Sequence, residues 1–299
     1  MAIAESSLDE NILALFCIVV ISVLGLVGNG LSLHITITNS TFRNAYGALR
    51  TAVLLCNIQT ISIIMIWGAI VLLTNSRELS SPTSFIALIP GCLANVSLYG
   101  SVLLNLLISV NRYCAFAFPL KYHNFWSIAR VRKAVIIIYF LGFLPCFPSL
   151  FEPCTLIFNT ELDFRWSYCD TACGYINSMF DTATVSSILI IGGCVDLVTL
   201  LKIRKFKQRR QSVTSFIKRK NEIFIFKQSC ISGITMIISA LVFNIGQQVL
   251  INKWALFAVS TIGWEMAHVL DGFVVLIFNR HHQSNPRINA INDQRRQGW

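Results

Sequence analysis

Seven apolar stretches constrain this chain more than any other feature. They run from about Ile12 to Thr38, Ala48 to Thr74, Ser84 to Tyr113, Val131 to Leu150, Gly174 to Leu201, Ile223 to Ile251 and Trp254 to Asn279. A helix rises about 1.5 Å per residue, so about 20 mainly apolar residues cross the hydrocarbon of a bilayer. Strands of a membrane barrel are about 10 residues long and alternate polar with apolar, which these runs do not. The fold class is an all-α membrane protein, a seven-transmembrane helix bundle. The fourth run is the weakest, with Pro145 and Pro148 near its end.

Composition narrows the function. Charged residues make up 13% of the chain, against about 25% in a soluble domain. That is too little to coat a water-facing surface, which excludes a soluble enzyme. The net charge of +10 does not point to nucleic acid, because the basic residues gather in short segments between apolar runs, which is a membrane pattern. Ten cysteines in a chain of this length do not make a disulfide scaffold. Cys17, Cys56, Cys114, Cys146, Cys194 and Cys230 read as small packing residues.

Basic residues set the orientation. One side holds Arg43, Arg50, Lys121, Arg130, Arg132, Lys133, the Lys202–Lys220 link, Arg280, Arg287, Arg295 and Arg296; the other holds only Arg77, Arg165 and Lys253. The second side carries the acids Glu5, Asp9, Glu10, Glu78, Glu152, Glu161, Asp163 and Asp170. The positive-inside rule then places the N-terminus outside and the C-terminus in the cytoplasm. The expected organisation is a short extracellular segment over residues 1–11, a membrane domain over 12–279 and a cytoplasmic tail over 280–299. The acidic start lacks the basic region of a signal peptide, so the first run is expected to act as its own insertion signal. The Lys202–Lys220 link reads either as a clamp on anionic lipid or as a docking surface for an acidic partner. Ser212, Thr214 and Ser215 within it are the better phosphorylation candidates, since Ser284 is the sole hydroxyl of the tail.

Four cysteines fall on the outer side: Cys92 at the start of the third run, and Cys154, Cys169 and Cys173 after the fourth. Such thiols face an oxidising compartment. A bridge from Cys92 to the later loop would pin that loop over the bundle, with its partner open.

At the inner end of the third run stands Asn111-Arg112-Tyr113, followed by Pro119-Leu120-Lys121-Tyr122, and the first run contains Gly28-Asn29. These segments resemble the Asp-Arg-Tyr motif, the downstream Pro-Leu and the Gly-Asn pair of rhodopsin-like G-protein-coupled receptors. Other features depart from that pattern. The second run lacks the usual acid, the sixth has no Cys-Trp-x-Pro, and the seventh has Leu270-Asp271-Gly272-Phe273 in place of Asn-Pro-x-x-Tyr. These variants resemble the nematode serpentine chemoreceptors of class X. So do Phe226-Lys227-Gln228-Ser229-Cys230 and Trp264-Glu265-x-x-His268-x-Leu270-Asp271-Gly272. For the outer cysteines the resemblance favours Cys154 and Cys173 over Cys169.

The resemblance implies a small odorant-like ligand, a heterotrimeric G protein as partner and a plasma-membrane site, sensory cilia included. It assigns coupling to Asn111, Arg112, Tyr113, Pro119 and Leu120. Asn111 takes the place of the acid that would pair with Arg112, so a local Arg–Asp lock is absent and a shallower inactive state is expected. Ionisable groups inside a membrane suggest function. Glu265, His268 and Asp271 follow one another at i, i+3 and i+6. Glu265 is placed to meet a ligand amine or a proton, and Asp271 with Asn29 to form a core polar network that holds water or a sodium ion. With a single Glu-x-x-His step, neither a metal nor any cofactor is expected. Asn95, Tyr99, Asp181, Gln247 and Trp264, with Glu265 and His268, are the candidate ligand contacts. Helix–helix hydrogen bonding is the alternative role for each of them. Asn177 and Gln248 share these positions. The rival functions are a transporter or a channel-like protein without G-protein coupling. A transporter would show inverted repeats and broken helices at midplane, which the sequence lacks. Proline is missing from the fifth, sixth and seventh runs, so kinks there must have another cause.

Overall fold

The computed structural model describes residues 8–76, 78–159, 164–207 and 213–283. The helices are α1 (Leu8–Thr38), α2 (Ala45–Thr74), α3 (Phe85–Ala117), α4 (Pro119–Phe125), α5 (Ile128–Leu141), α6 (Phe143–Cys146), α7 (Ala172–Lys207), α8 (Val213–Val249), α9 (Lys253–Phe257) and α10 (Gly263–Gln283). Seven segments are long and apolar enough to cross a membrane: α1, α2, the segment containing α3, the segment containing α5 and α6, α7, Phe226–Phe243 of α8, and the segment from α9 into α10. The bundle closes as a ring, α1 against α2, α2 against α3, α3 against α7, α7 against α8, α8 against α10 and α10 back against α1. α5 packs outside the ring on α2 and α3, tied by Tyr139 donating to Gln59 at 2.7 Å.

The packing is inverted relative to a soluble bundle. α1 buries Ala14, Ile18, Ser22, Gly25, Asn29, Ser32 and Thr36, a stripe repeating every three or four residues. Its other faces expose Phe16, Val20, Val23, Leu24, Val27 and Leu31. Lipid is as apolar as those side chains, so small and polar residues turn inward, where backbones approach closely and hydrogen bonds find partners. Gly272 shows how closely: a Cβ there would stand 2.6 Å from the Asn29 side-chain amide.

The fourth segment behaves as its prolines require. α5 ends at Leu141, a single turn follows over Phe143–Cys146, and Phe147–Leu150 winds as a 3-10 helix. After it comes a feature absent from the sequence reading. Strand β1 (Leu156–Asn159) pairs antiparallel with β2 (Arg165–Tyr168), Leu156 opposite Tyr168 and Asn159 opposite Arg165. This hairpin lies across one end of the bundle. The carbonyl of Leu156 rests on Gly91, where a Cβ would meet it at 2.1 Å. Phe158, Phe164 and Trp166 are buried there with Phe257 and Trp264. Phe164 sits at φ 52°, a conformation uncommon for a bulky residue, and its carbonyl accepts from Thr261 Oγ1 at 2.8 Å.

A disulfide joins Cys154 to Cys173, fastening both flanks of the hairpin to the start of α7. Cys92 is unbridged, which corrects the expected bridge from Cys92 to the loop. Cys92 is buried beside Val96, Tyr99 and Cys146 of the fourth segment, while the two loop cysteines meet each other.

The seventh segment departs from a regular α-helix without proline. Residues Ala258–Ile262 form a π-turn between α9 and α10. Such a bulge interrupts the regular ladder and is found at functional sites. Val259 within it packs against Gly246 of α8, where a Cβ would stand 3.0 Å away.

Candidate functional site

Between the hairpin and the helices lies a cavity of about 950 Å³. That lies within the range of small-molecule sites, about 300–1,000 Å³. Its walls come from α3 (Asn95, Leu98, Val102), α7 (Asp181, Val185, Leu189), α8 (Met236, Phe243), α10 (Trp264, Ala267, His268) and the hairpin (Trp166, Tyr168). Most of that surface is apolar, with polar groups at a few points.

One polar point centres on Asp181. Tyr99 and Tyr168 each donate a phenol hydroxyl to its carboxylate. Asn95 Nδ2 donates to Tyr168 at 2.8 Å and to Asp181 at 3.1 Å. Burial, and then the neighbouring Asp181 carboxylate, push the Tyr168 phenol above its ordinary range, so it stays a neutral donor. Four residues from three elements therefore meet at one carboxylate, and the hairpin is tied to α3 and α7 through it. Tyr168 was not anticipated; nothing in a short loop strand marks it as a partner of Asp181.

Of the ligand contacts expected from sequence, Asn95, Asp181, Trp264 and His268 line the cavity. Tyr99 stands one step behind, bonded to Asp181. Glu265 does not line it. That carboxylate turns to α1, where Ser22 donates to it, because position 265 falls on the α1-facing side of α10. Asn177 bonds to Ser149 and to the Cys154 carbonyl at 2.9 and 3.3 Å, joining helix to loop. The side chains of Gln247 and Gln248 lie outside the described residues.

Below the cavity runs a buried polar core. Asp271 accepts from Arg50 Nη2 at 2.7 Å and from Asn57 Nδ2 at 2.8 Å, and also from Ser232. Asn29 donates to the carbonyls of Gly25 and His268 at 2.9 and 3.1 Å. Ser32 donates to the Gly272 carbonyl at 2.7 Å. The core polar network expected of Asn29 and Asp271 is present, but with a different charge balance. Arg50, 1% exposed, supplies a positive charge beside Asp271. Arg50 had been counted among the inner-side basic residues; its position one turn inside α2 carries it into the bundle.

At the end opposite the hairpin lies Arg112. Its Nη2 donates to both oxygens of Asp196 at 2.7 and 2.9 Å and to Ser109 at 3.0 Å. Its Nη1 donates to the Phe226 carbonyl at 3.2 Å, with the Phe226 ring 5.3 Å from the guanidinium carbon. Arg112 therefore ties α3 to α7 and α8. A local pair at position 111 is absent; the acid that pairs with Arg112 is Asp196, on another helix. Asn111 instead bonds Tyr122 of α4 at 3.0 Å. Lys202 donates to the Tyr113 hydroxyl at 3.0 Å. Pro119 opens α4, and Leu120 beside it is 95% exposed. Asp196 and Asn57 were both missed in the sequence, although an acid in mid-span is a signal in itself. Most of the Lys202–Lys220 link, including Ser212, Thr214 and Ser215, lies outside the described side chains, and Ser284 and the tail beyond it lie outside the described residues.

Seven crossing helices, a cavity under a disulfide-fastened hairpin and an arginine lock at the other end define a multi-pass membrane protein of seven-helix receptor architecture. More narrowly, the chain belongs to the serpentine chemoreceptor family Srx: the family described as "Serpentine type 7TM GPCR chemoreceptor Srx" matches residues 19–279. The chain is similar to Serpentine receptor class X-43 of Caenorhabditis elegans, 27% identical over 184 residues, covering 58% of this chain and 56% of that protein. It is also similar to Serpentine receptor class X 45 of the same organism, 23% identical over 205 residues, covering 62% of this chain and 56% of that protein. The chain thus spans little more than half the length of the curated relatives it matches. The family is one of chemoreceptors and not of enzymes.

Proposed function

We propose that this protein is a plasma-membrane chemosensory receptor, in sensory cilia among other sites. In this reading it takes a small odorant-like molecule from outside into the cavity and activates a heterotrimeric G protein inside. The hairpin end and residues 1–11 face outward, residues 12–279 form the membrane domain, and residues 280–299 form a cytoplasmic tail. The distribution of basic residues supports that orientation. Membrane lipid solvates the outer face of the bundle.

The observation that carries the reading is that the same three helices touch both ends. α3 bears Asn95, Leu98 and Val102 at the cavity and Arg112 at the lock; α7 bears Asp181 and Asp196; α8 bears Met236 and Phe226. A ligand changes the inner end only by binding one arrangement of these helices better than another. Freed from Asp196, Arg112 becomes available to the G-protein α-subunit, with Tyr113, Asn111, Pro119 and the exposed Leu120 around it.

The test is ligand-independent nucleotide exchange in a heterologous membrane at matched surface expression. Asp196→Asn, which weakens the lock and keeps Arg112, is expected to signal at least threefold above the parent. Arg112→Ala is expected to fall to background. Equal exchange in the two variants contradicts coupling through this arginine.

A further inference from the structure

Asp181 is a carboxylate in the cavity wall whose partners are all uncharged. It is partly exposed and lines the cavity. Its donors are the phenols of Tyr99 and Tyr168 and the side-chain amide of Asn95. Hydrogen bonds that converge on a carboxylate favour its charged form. They disperse the negative charge and do not cancel it. The other two acidic centres of the bundle differ in this respect. Asp196 holds Arg112 and Asp271 holds Arg50, each at 2.7 Å. Among the described residues, no Lys or Arg forms an ion pair with Asp181. Glu265 accepts from Ser22, but it is wholly buried and turned to α1, out of a ligand's reach.

The rest of the wall leaves that charge uncompensated. Among the described residues it holds two carboxylates, Asp170 and Asp181, and one basic side chain, Arg165. His268 is wholly buried with the neutral Asn57 amide as its hydrogen-bonded partner, so it adds no charge. The wall is therefore negative by one carboxylate. Its aromatic members are Trp166, Tyr168, Tyr175, Phe243 and Trp264. The face of an aromatic ring attracts a cation, and does so more strongly where water is excluded.

Ligand charge then decides what the cavity holds. An anion meets Asp181 as a like charge. A neutral molecule displaces water from the carboxylate and leaves its charge without a counterion, which is costly in apolar surroundings. A cation supplies the missing partner and meets the aromatic walls as well. Leu98, Val102, Val185 and Leu189 offer apolar surface to the remainder of the molecule. We infer that the cavity selects a protonated amine with an apolar body, its ammonium group seated at Asp181. This deepens, and rests on, the reading of the cavity as the ligand site.

The test uses the full chain in nanodiscs of zwitterionic lipid, with Val185→Cys as a cavity reporter. Val185 lines the cavity one helical turn from Asp181 on the same face of α7. Labelling at position 185 by N-ethylmaleimide at pH 7 is followed by peptide mass spectrometry. The probes share one ring and one shape and differ in charge: N,N-dimethylcyclohexylmethylamine, 2-cyclohexylacetamide and cyclohexylacetate, at equal free concentration. The amine, protonated at this pH as an aliphatic amine is, is expected to slow labelling at least fivefold. The amide and the acetate are expected to slow it less than twofold. Asp181→Asn keeps the size of the side chain and removes its charge. In that background the preference for the amine over the amide is expected to fall at least fivefold. Because the preference is a ratio within each protein, a change in reporter rate does not enter it. Equal protection by amine and amide overturns the inference, as does stronger protection by the acetate, an unchanged preference in Asp181→Asn, or ready labelling that no probe slows. The three probes on the reporter alone decide the matter if Asp181→Asn does not fold. Failure of the reagent to reach position 185 at all contradicts the cavity reading itself, a result distinct from these.

Discussion

Removing Asp271 leaves the Arg50 guanidinium buried among Ser232 and backbone without its carboxylate. Breaking one partner of a buried pair costs about 3–5 kcal/mol, whereas replacing both by apolar groups of similar size is often close to neutral. Asp271→Ala is therefore expected to lower the melting temperature sharply and to reduce surface expression. Arg50→Met combined with Asp271→Leu is expected to regain most of the loss, as read by thermal unfolding of purified protein. Asp271 was visible in the sequence as an acid within an apolar run. Its partner was not, because Arg50 stands near a run boundary where positive-inside counting absorbs it. Asp196 stands inside the fifth run, but the Asn111-Arg112-Tyr113 motif points to position 111 for the acid. A partner 84 positions away in sequence has no local spacing to announce it.

Helices and loops differ in how much the sequence disclosed. The seven spans were legible because lipid imposes a length and an apolar composition on every crossing helix, whatever its neighbours. The hairpin was not. Leu156 to Asn159 is buried at nearly every position and shows no alternation, and a run of four apolar-rich residues in a loop carries no strand signature. The π-turn was equally silent, since no proline or other local breaker marks Ala258–Ile262. The disulfide belongs to this scale too. Its closed loop spans 19 positions, and tying off such a loop is worth about 3 kcal/mol in the unfolded chain. Peptide mapping under non-reducing conditions is expected to recover Cys154 linked to Cys173 and Cys92 as an alkylated thiol. Paired replacement of Cys154 and Cys173 by serine is expected to destabilise the protein by about that amount. A Cys92-linked peptide would contradict the arrangement.

Across the whole molecule, three polar centres lie along the axis of an otherwise apolar bundle: Asp181 at the cavity, Asp271 in the core, and Asp196 with Arg112 at the far end. Each joins neighbouring helices through hydrogen bonds from one buried carboxylate. His268 stands between the first two, lining the cavity and bonded through Asn57 to Asp271. Family membership and the seven-helix architecture follow from the pattern of spans and motifs. The placement of the hairpin, the core ion pair and the interhelical lock follow only from the folded arrangement, because each depends on residues brought together from distant runs.

The central claim is that the cavity and the Arg112 lock belong to one two-state unit. Coupling between two sites is reciprocal, so a change at the lock must be felt in the cavity. The direct measurement is the rate of maleimide labelling at position 236 in Met236→Cys, with and without Asp196→Asn, at matched folding. A change of at least threefold in that rate is predicted when the lock is weakened. Identical rates in the two proteins would contradict the account.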